Sequence, residues 1–279
     1  MKKKITALVL VAAMMAALAG CGGTAAPADA SFAADASSVE EASSAEEASE
    51  ALADGVLTAG TNAAFPPFEY VGDDGKPEGF DIALIRAIGE KLGVEVEVRD
   101  MEFDSLVTSI GSKIDVAIAG MTVTEERKAM VTFSDPYYDA VQYVILPAGS
   151  SIASIEDLKG KNIGCQLGTT GNYLIEDSIE GAAAQTYNKA IDAVNDLING
   201  KLEAVIIDQN PAEVFVKNHP DEIRLIPGAD FGFEAEQYAI AMPKDDAALA
   251  EAVNAALAEL RSDGSYDALV EQYINSSEN

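Results

Sequence analysis

Two segments of the chain carry residue types that prefer ligand groups of opposite charge. The first is Gly120-Met121-Thr122-Val123-Thr124-Glu125-Glu126-Arg127-Lys128, between an apolar run and a helix start. Thr122 with Glu125 three residues on fits a capping box, and Thr124 caps equally well. Capping accounts for both hydroxyls but not for Arg127, which stands in the first turn beside unpaired backbone N–H groups. A helix N-terminus, hydroxyls and a forked guanidinium together form a carboxylate receptor. Charge-assisted bonds of about 1.5–3 kcal/mol each would make it the main anchor of a small acid. The second segment is Ala204-Val205-Ile206-Ile207-Asp208. A carboxylate at the end of an apolar strand is costly to bury unless a cation meets it. A ligand ammonium would serve, and a helix cap is the alternative role for Asp208. A carboxylate receptor facing an ammonium receptor specifies an α-amino acid.

Two loops add to this pair. Thr61-Asn62-Ala63-Ala64-Phe65-Pro66-Pro67-Phe68-Glu69-Tyr70 follows the first strand, and its Pro-Pro pair denies helix and fixes an extended path. Phe65 and Phe103 are candidates to face a cleft, with burial in the core as the alternative. Leu167-Gly168-Thr169-Thr170-Gly171 also joins a strand to a helix and offers N–H groups and hydroxyls. With no Lys after its last Gly it is not a phosphate-binding P-loop.

The elements that would position these residues read as α/β. Phe80, Leu84, Ile88 and Leu92 recur every four residues before Gly93, which predicts a capped helix. Val94, Val96 and Val98 alternate with charged residues, the period of a half-buried strand. A short helix over Phe103–Ile110 leads into a buried strand over Ile114–Ala119, and helices alternating with strands predict a parallel sheet. Leu106–Gly120 then lines up without gaps against Val194–Asp208: amphipathic helix, polar turn with Lys, acid, apolar strand. Any two strand–helix units share some of this pattern. As a repeat, it predicts two domains of like construction, with Gly120 and Asp208 at equivalent strand ends, where open α/β sheets bind ligands. The second unit has strands at Asn162–Gln166, Gln185–Tyr187 and Ala204–Asp208 and helices near 171–179 and 190–199. Tyr238–Met242 reads as a strand returning to the first unit, followed by helices over Leu249–Leu260 and Tyr266–Ile274. The chain would cross between units near Gln142–Leu146 and again near Glu236–Met242, forming a hinge beside a closing cleft.

Composition excludes much else. With 47 Asp and Glu against 18 Lys and Arg, the formal charge is −29. Nucleic-acid affinity, which depends on neutralising phosphates, is excluded as a function. One His and two Cys cannot build a multi-His or zinc-cluster site, so no metal or cofactor is implied. Lys2, Lys3 and Lys4 precede an apolar run from Ile5 to Ala19 that ends in Leu18-Ala19-Gly20-Cys21, a secretory leader over residues 1–21. These last residues resemble a bacterial lipobox, which would make Cys21 a lipid-bearing N-terminus with stable two-chain anchoring. Residues 22–53 are Ala, Ser and Glu with seven acids and no base, a tether that cannot bury enough surface to fold. Cys165 would then be the one remaining thiol, read as an inert core residue rather than a reactive one.

The ordered set Gly60-Thr61 with Phe65-Pro66-Pro67-Phe68-Glu69, Gly79-Phe80-Asp81, Gly120 to Arg127, Phe133-Ser134-Asp135-Pro136-Tyr137-Tyr138, Gly168-Thr169-Thr170-Gly171 and strand-end Asp208 resembles the solute-binding proteins of polar amino-acid ABC transporters. The resemblance covers about residues 54–275. It implies the type II periplasmic-binding-protein fold, with lobe 1 from 54–143 plus 238–279 and lobe 2 from 144–237. It implies that Thr122 and Arg127 hold a ligand carboxylate, Gly120 offers its backbone, and Asp208 holds the ammonium. Phe65 and Phe103 would pack along the ligand, Thr170 would support the carboxylate from the second lobe, and Met121 and Thr169 lie within the matched segments. Members that bind basic amino acids tend to carry an acid where this chain has Asn62. That amide, with Gln166, favours a polar uncharged, glutamine-like side chain, although Glu69 could still supply a charge.

The expected function is a monomeric, lipid-anchored extracytoplasmic receptor that closes on one free L-α-amino acid and is read by an ABC permease. The rival is an enzyme on the same fold, such as a periplasmic dehydratase of cyclic acids, which needs a general acid in the cleft. His219, in Lys217-Asn218-His219-Pro220, reads as a surface turn, leaving Asp208 and Glu69 as candidates for that role.

Overall fold

The computed structural model describes residues 49–275; the leader, Cys21 and the tether as far as residue 48 lie outside the described residues. The expected tether ran to Ala53, but Ser49 is already buried and its Oγ donates to Asp246 Oδ2 at 2.6 Å. The short turn Glu50–Leu52 then packs Leu52 against the core.

The chain starts with β1 (Val56–Thr61), then three short strands that pair with one another, β2 (Ala64–Phe65), β3 (Glu69–Val71) and β4 (Pro77–Glu78). α1 (Phe80–Leu92) buries Phe80, Leu84 and Ile88 on one face and ends at Gly93 in the left-handed conformation. β5 (Glu95–Asp100), α2 (Leu106–Ser109), β6 (Val116–Ala117), α3 (Glu125–Met130) and β7 (Val131–Phe133) complete the first unit. The ten-residue β8 (Tyr138–Pro147) carries the chain across. The second unit runs through α4 (Ile155–Leu158), β9 (Asn162–Gln166), α5 (Thr170–Ser178), β10 (Ala183–Tyr187) and α6 (Ala190–Ile198). It continues with β11 (Ala204–Asp208), α7 (Gln209–Asn218) and β12 (Ile223–Pro227). β13 (Ala235–Tyr238) returns, and β14 (Ala241–Pro243), α8 (Ala247–Ser262) and α9 (Ser265–Leu269) pack on the first unit.

One topology is built twice. The first sheet has the order β5-β1-β6-β14-β7 and the second β10-β9-β11-β8-β12. In each, three parallel strands are followed by an antiparallel fourth, β14 or β8. The sheets are therefore mixed rather than wholly parallel. The fourth strand enters by crossing from the other unit at the edge where the parallel strands end, so it can only run back against them. The aligned segments fall on α2–β6 and α6–β11, and Gly120 and Asp208 leave equivalent central strands. The match is unequal in length. Only Val116–Ala117 of the expected Ile114–Ala119 strand forms a regular ladder, although Asp115 and Ile118 also donate to β1 carbonyls.

The first crossing lies earlier than its apolar run suggests. β8 pairs with β13 over Tyr138–Val141 and joins the second sheet from Gln142 onward, so Val144–Leu146 already belongs to that core. Both crossing strands are welded to the loop after β1 by aromatic side chains. The Phe68 ring lies 5.0 Å from Tyr138 and 5.2 Å from Tyr238, edge-on to both. Phe68 is fully buried. Phe68→Ala is expected to lower unfolding stability by about 3–5 kcal/mol in urea titration, since it removes a buried ring that three elements share.

Candidate functional site

Strand ends and helix starts from both units converge on a tight cavity of about 20 Å³. Asn62, Phe65, Phe103, Gly120, Thr122, Arg127, Gln166, Thr169, Thr170 and Asp208 all line it. Met121 does not: its side chain is fully buried in the cluster between Leu106, Ile114 and Val131. Along an extended segment alternate residues face opposite ways, so the neighbour of two cavity residues points into the core.

Arg127 is buried, and Thr124 rather than Thr122 caps its helix by accepting from the Arg127 N–H at 3.1 Å. The guanidinium Nη1 donates to Thr122 O at 2.6 Å and Nη2 to Gly168 O at 2.9 Å, so it bridges the two units. It also lies 5.4 Å from the centre of the Phe103 ring. Burial lowers its pKa from the ordinary arginine value, opposed by Tyr173 and by the Glu236 and Asp208 charges.

Asp208 sits opposite and does not cap α7 through its side chain. Its Oδ1 accepts from the Tyr238 hydroxyl at 2.6 Å. Burial, then the neighbouring Glu236 carboxylate, pushes its carboxyl up to about 7 from 3.8, while bonds from Tyr238 and Gln142 hold it lower than it would otherwise be.

Glu236, on β13, is the largest feature missed in the sequence. Its Oε2 accepts from Thr122 Oγ1 at 2.8 Å, Thr170 Oγ1 at 2.8 Å and Gln142 Nε2 at 3.3 Å. One oxygen thus ties a loop of the first unit, a helix start of the second and the crossing strand. Nothing local marks it, because Ala235-Glu236-Gln237 has the composition of any exposed edge. Glu69, which the sequence offers as a spare charge or a general acid, is buried and lines the cavity. Its place is fixed by the β2–β3 pairing of Phe65 with Glu69. Asn62 and Gln166 meet each other: Gln166 Nε2 donates to Asn62 Oδ1 at 2.9 Å and to Asn188 O at 2.9 Å, while Asn62 Nδ2 donates to Met101 O at 2.8 Å. Gly120 has φ +52°, and a Cβ there would come within 2.9 Å of the Phe65 ring, so this strand end requires glycine. Cys165 is fully buried away from the cavity, and burial raises its thiol to about 12, the inert state expected of it.

Two α/β lobes joined by paired crossing strands, with a guanidinium and a buried carboxylate lining the cavity between them, define a two-lobed solute receptor. A sequence profile of bacterial extracellular solute-binding proteins, family 3, matches residues 57–276, and the chain belongs to that family. It is 32% identical over 223 residues to the L-cystine-binding protein TcyJ of Escherichia coli, covering 79% of this chain and 83% of that one. It is 36% identical over 223 residues to the arginine-binding extracellular protein ArtP of Bacillus subtilis, covering 78% and 86%. Among solved structures, an ancestral arginine-binding protein bound to glutamine is 41% identical, with TM-score 0.74 over 79% of this chain and 98% of that one. The family and these relatives are solute-binding receptors and not enzymes, which removes the dehydratase alternative.

The Asp208 carboxyl gives the free protein a definite pH response. A carboxyl whose folded pKa is raised binds more protons than the unfolded chain between about pH 4 and 7. Its contribution to stability is therefore full below about pH 4 and is lost as pH rises through about 7. Asp208→Asn should flatten the fall in Tm across that window, as followed by circular dichroism.

Proposed function

We propose that this chain binds one L-α-amino acid between its lobes and presents the closed form to an ABC permease. The carrying observation is the buried Arg127 guanidinium lining the same cavity as the buried Asp208 carboxylate. Arginine has five N–H donors, and the bonds to Thr122 and Gly168 use two. The remaining donors, with the first-turn N–H of Thr170, suit the ligand carboxylate.

The Thr122 hydroxyl has a different role from the one its resemblance implied. It donates its proton to Glu236, so it turns lone pairs toward the ligand and accepts from the ammonium beside Asp208. The Gly120 N–H is given to Asp81, which leaves its carbonyl for the same ammonium. Phe65 and Phe103 flank the side chain, and Asn62, Gln166 and Glu69 meet its polar end. The Asn62 and Gln166 amides support a polar uncharged, glutamine-like side chain. The buried Glu69 carboxyl supports a second, arginine-like reading, as do the arginine-binding relatives.

Contacts on both lobes favour the closed form, so ligand binding shifts the population toward it. The lobes are taken as 54–143 with 238–279 and as 144–237, hinged where β8 and β13 pair. The protein acts as a monomer without cofactor, exported by its leader and held to the outer face of the membrane by lipid on Cys21, with residues 22–48 as tether. Titration calorimetry against the twenty amino acids should give saturable heat for at least one, and silence for all twenty would remove the receptor reading. Arg127→Ala should weaken that ligand by roughly 100-fold or more, the loss of two charge-assisted bonds; unchanged affinity would overturn the carboxylate assignment.

A further inference from the structure

Glu236 gathers donors from both lobes without lining the cavity. It lines instead an outer groove between the Thr122–Lys128 segment and α5. Its backbone is laced to lobe 1: the Val123 N–H donates to Gln237 O at 2.9 Å and the Ala239 N–H to Met121 O at 3.1 Å. The 2.8 Å bond from Thr122 Oγ1 to Glu236 Oε2 therefore stays within lobe 1 when the cleft opens. Thr170 and Gln142 belong to the other lobe, since Thr170 opens α5 and Gln142 pairs with Asp208 in the second sheet. Their donors reach the same oxygen at 2.8 Å and 3.3 Å, and these are the bonds that part on opening. The carboxylate also stands at the start of the nine-residue α5, where the helix dipole favours negative charge.

Two arms of lobe 1 thus grip one loop of lobe 2. Arg127 Nη2 donates to Gly168 O, and Glu236 accepts from Thr170 two residues on. Thr122 steadies both arms, its carbonyl accepting from Arg127 and its hydroxyl donating to Glu236. The arms differ in one respect. Arg127 lines the cavity, with donors left for a ligand, whereas Glu236 Oε2 takes its donors, Thr122, Thr170 and Gln142, from the protein.

We propose that Glu236 is a latch: a positioning residue that favours the closed cleft through Thr170 and Gln142 and makes no contact with the ligand. The proposal rests on the reading of the lobes as closing on a ligand, and not on which ligand that is. Because the latch is built from protein groups alone, part of the free protein closes on its own. The latch then scales the affinity of every ligand by one common factor, the share of molecules in the binding-competent form.

The test reads closure directly, from the distance between two spin labels, one on each lobe, in the full chain. The unmodified free protein should show a short-distance population, and Glu236→Ala should lower its closed-to-open ratio about tenfold, the loss of a charge-assisted bond. Thr170→Val should act in the same direction and add little in the Glu236→Ala background, since both remove one shared bond. Glu236→Gln keeps the shape without the charge and should give an intermediate shift, which serves if Glu236→Ala does not fold. In calorimetry with arginine and glutamine as probes, each one that binds should weaken by the same factor in Glu236→Ala, leaving their affinity ratio unchanged. No closed population in the free protein, one that Glu236→Ala and Glu236→Gln leave in place, fully additive effects of Glu236→Ala and Thr170→Val, or a changed affinity ratio would overturn the proposal. If no amino acid binds while Glu236→Ala still opens the free protein, the amino-acid reading falls and the latch stands.

Discussion

A guanidinium withdrawn from water must be met by oxygen atoms on several sides, and Arg127 is met from both lobes. The Thr122 carbonyl comes from its own loop and the Gly168 carbonyl from the opposite one. Neither lobe alone surrounds it, so desolvation of this side chain needs both lobes together. The rest of the site follows from this. Whatever completes the shell of Arg127 on its remaining N–H groups must lie between the lobes, and a carboxylate has the geometry to pair with a guanidinium.

The repeat supplies the means of closing. Two sheets of the same order each receive their antiparallel fourth strand from a crossing segment, so β8 is at once a hinge strand and a central strand of the second core. Glu236 sits on the paired stretch of the two crossings and accepts from hydroxyls of both lobes. A change of hinge angle must alter these bonds, which couples the position of the lobes to the direction in which Thr122 and Thr170 hold their protons. Phe68, Tyr138 and Tyr238 keep that coupling stiff, because ring contacts tolerate little displacement.

The acidity of the chain has two separate meanings. Most of its carboxylates are solvated and concern solubility alone. Among the described residues, Asp81, Glu69 and Asp208 are buried at or beneath the cavity that Arg127 shares, and the half-buried Glu236 bonds to its lining. Burial raises Asp81 to about 6 and Asp208 to about 7, and raises Glu69 as well. A cluster of this sort is tolerable only when some members hold protons or a ligand cation arrives.

The sequence by itself determined the alternation of helices and strands, the duplication, and the residues with unmistakable chemistry. Arg127 and Asp208 announce themselves because a guanidinium at a helix start and an acid ending an apolar strand have few other uses. Periodicity could not show that Met121 turns away from its two neighbours, that the first crossing begins at Tyr138, or that Ser49 is already packed. Only the tertiary structure decided the roles of Glu69, Asp81 and Glu236. Each is a commonplace acid in its local context, and its chemistry arises from partners far along the chain: Gly120 and Tyr137 for Asp81, Thr122 and Thr170 for Glu236. Burial and hydrogen-bond partners are properties of the folded neighbourhood. A carboxylate on an exposed strand and one buried beside a cavity are written with the same letter.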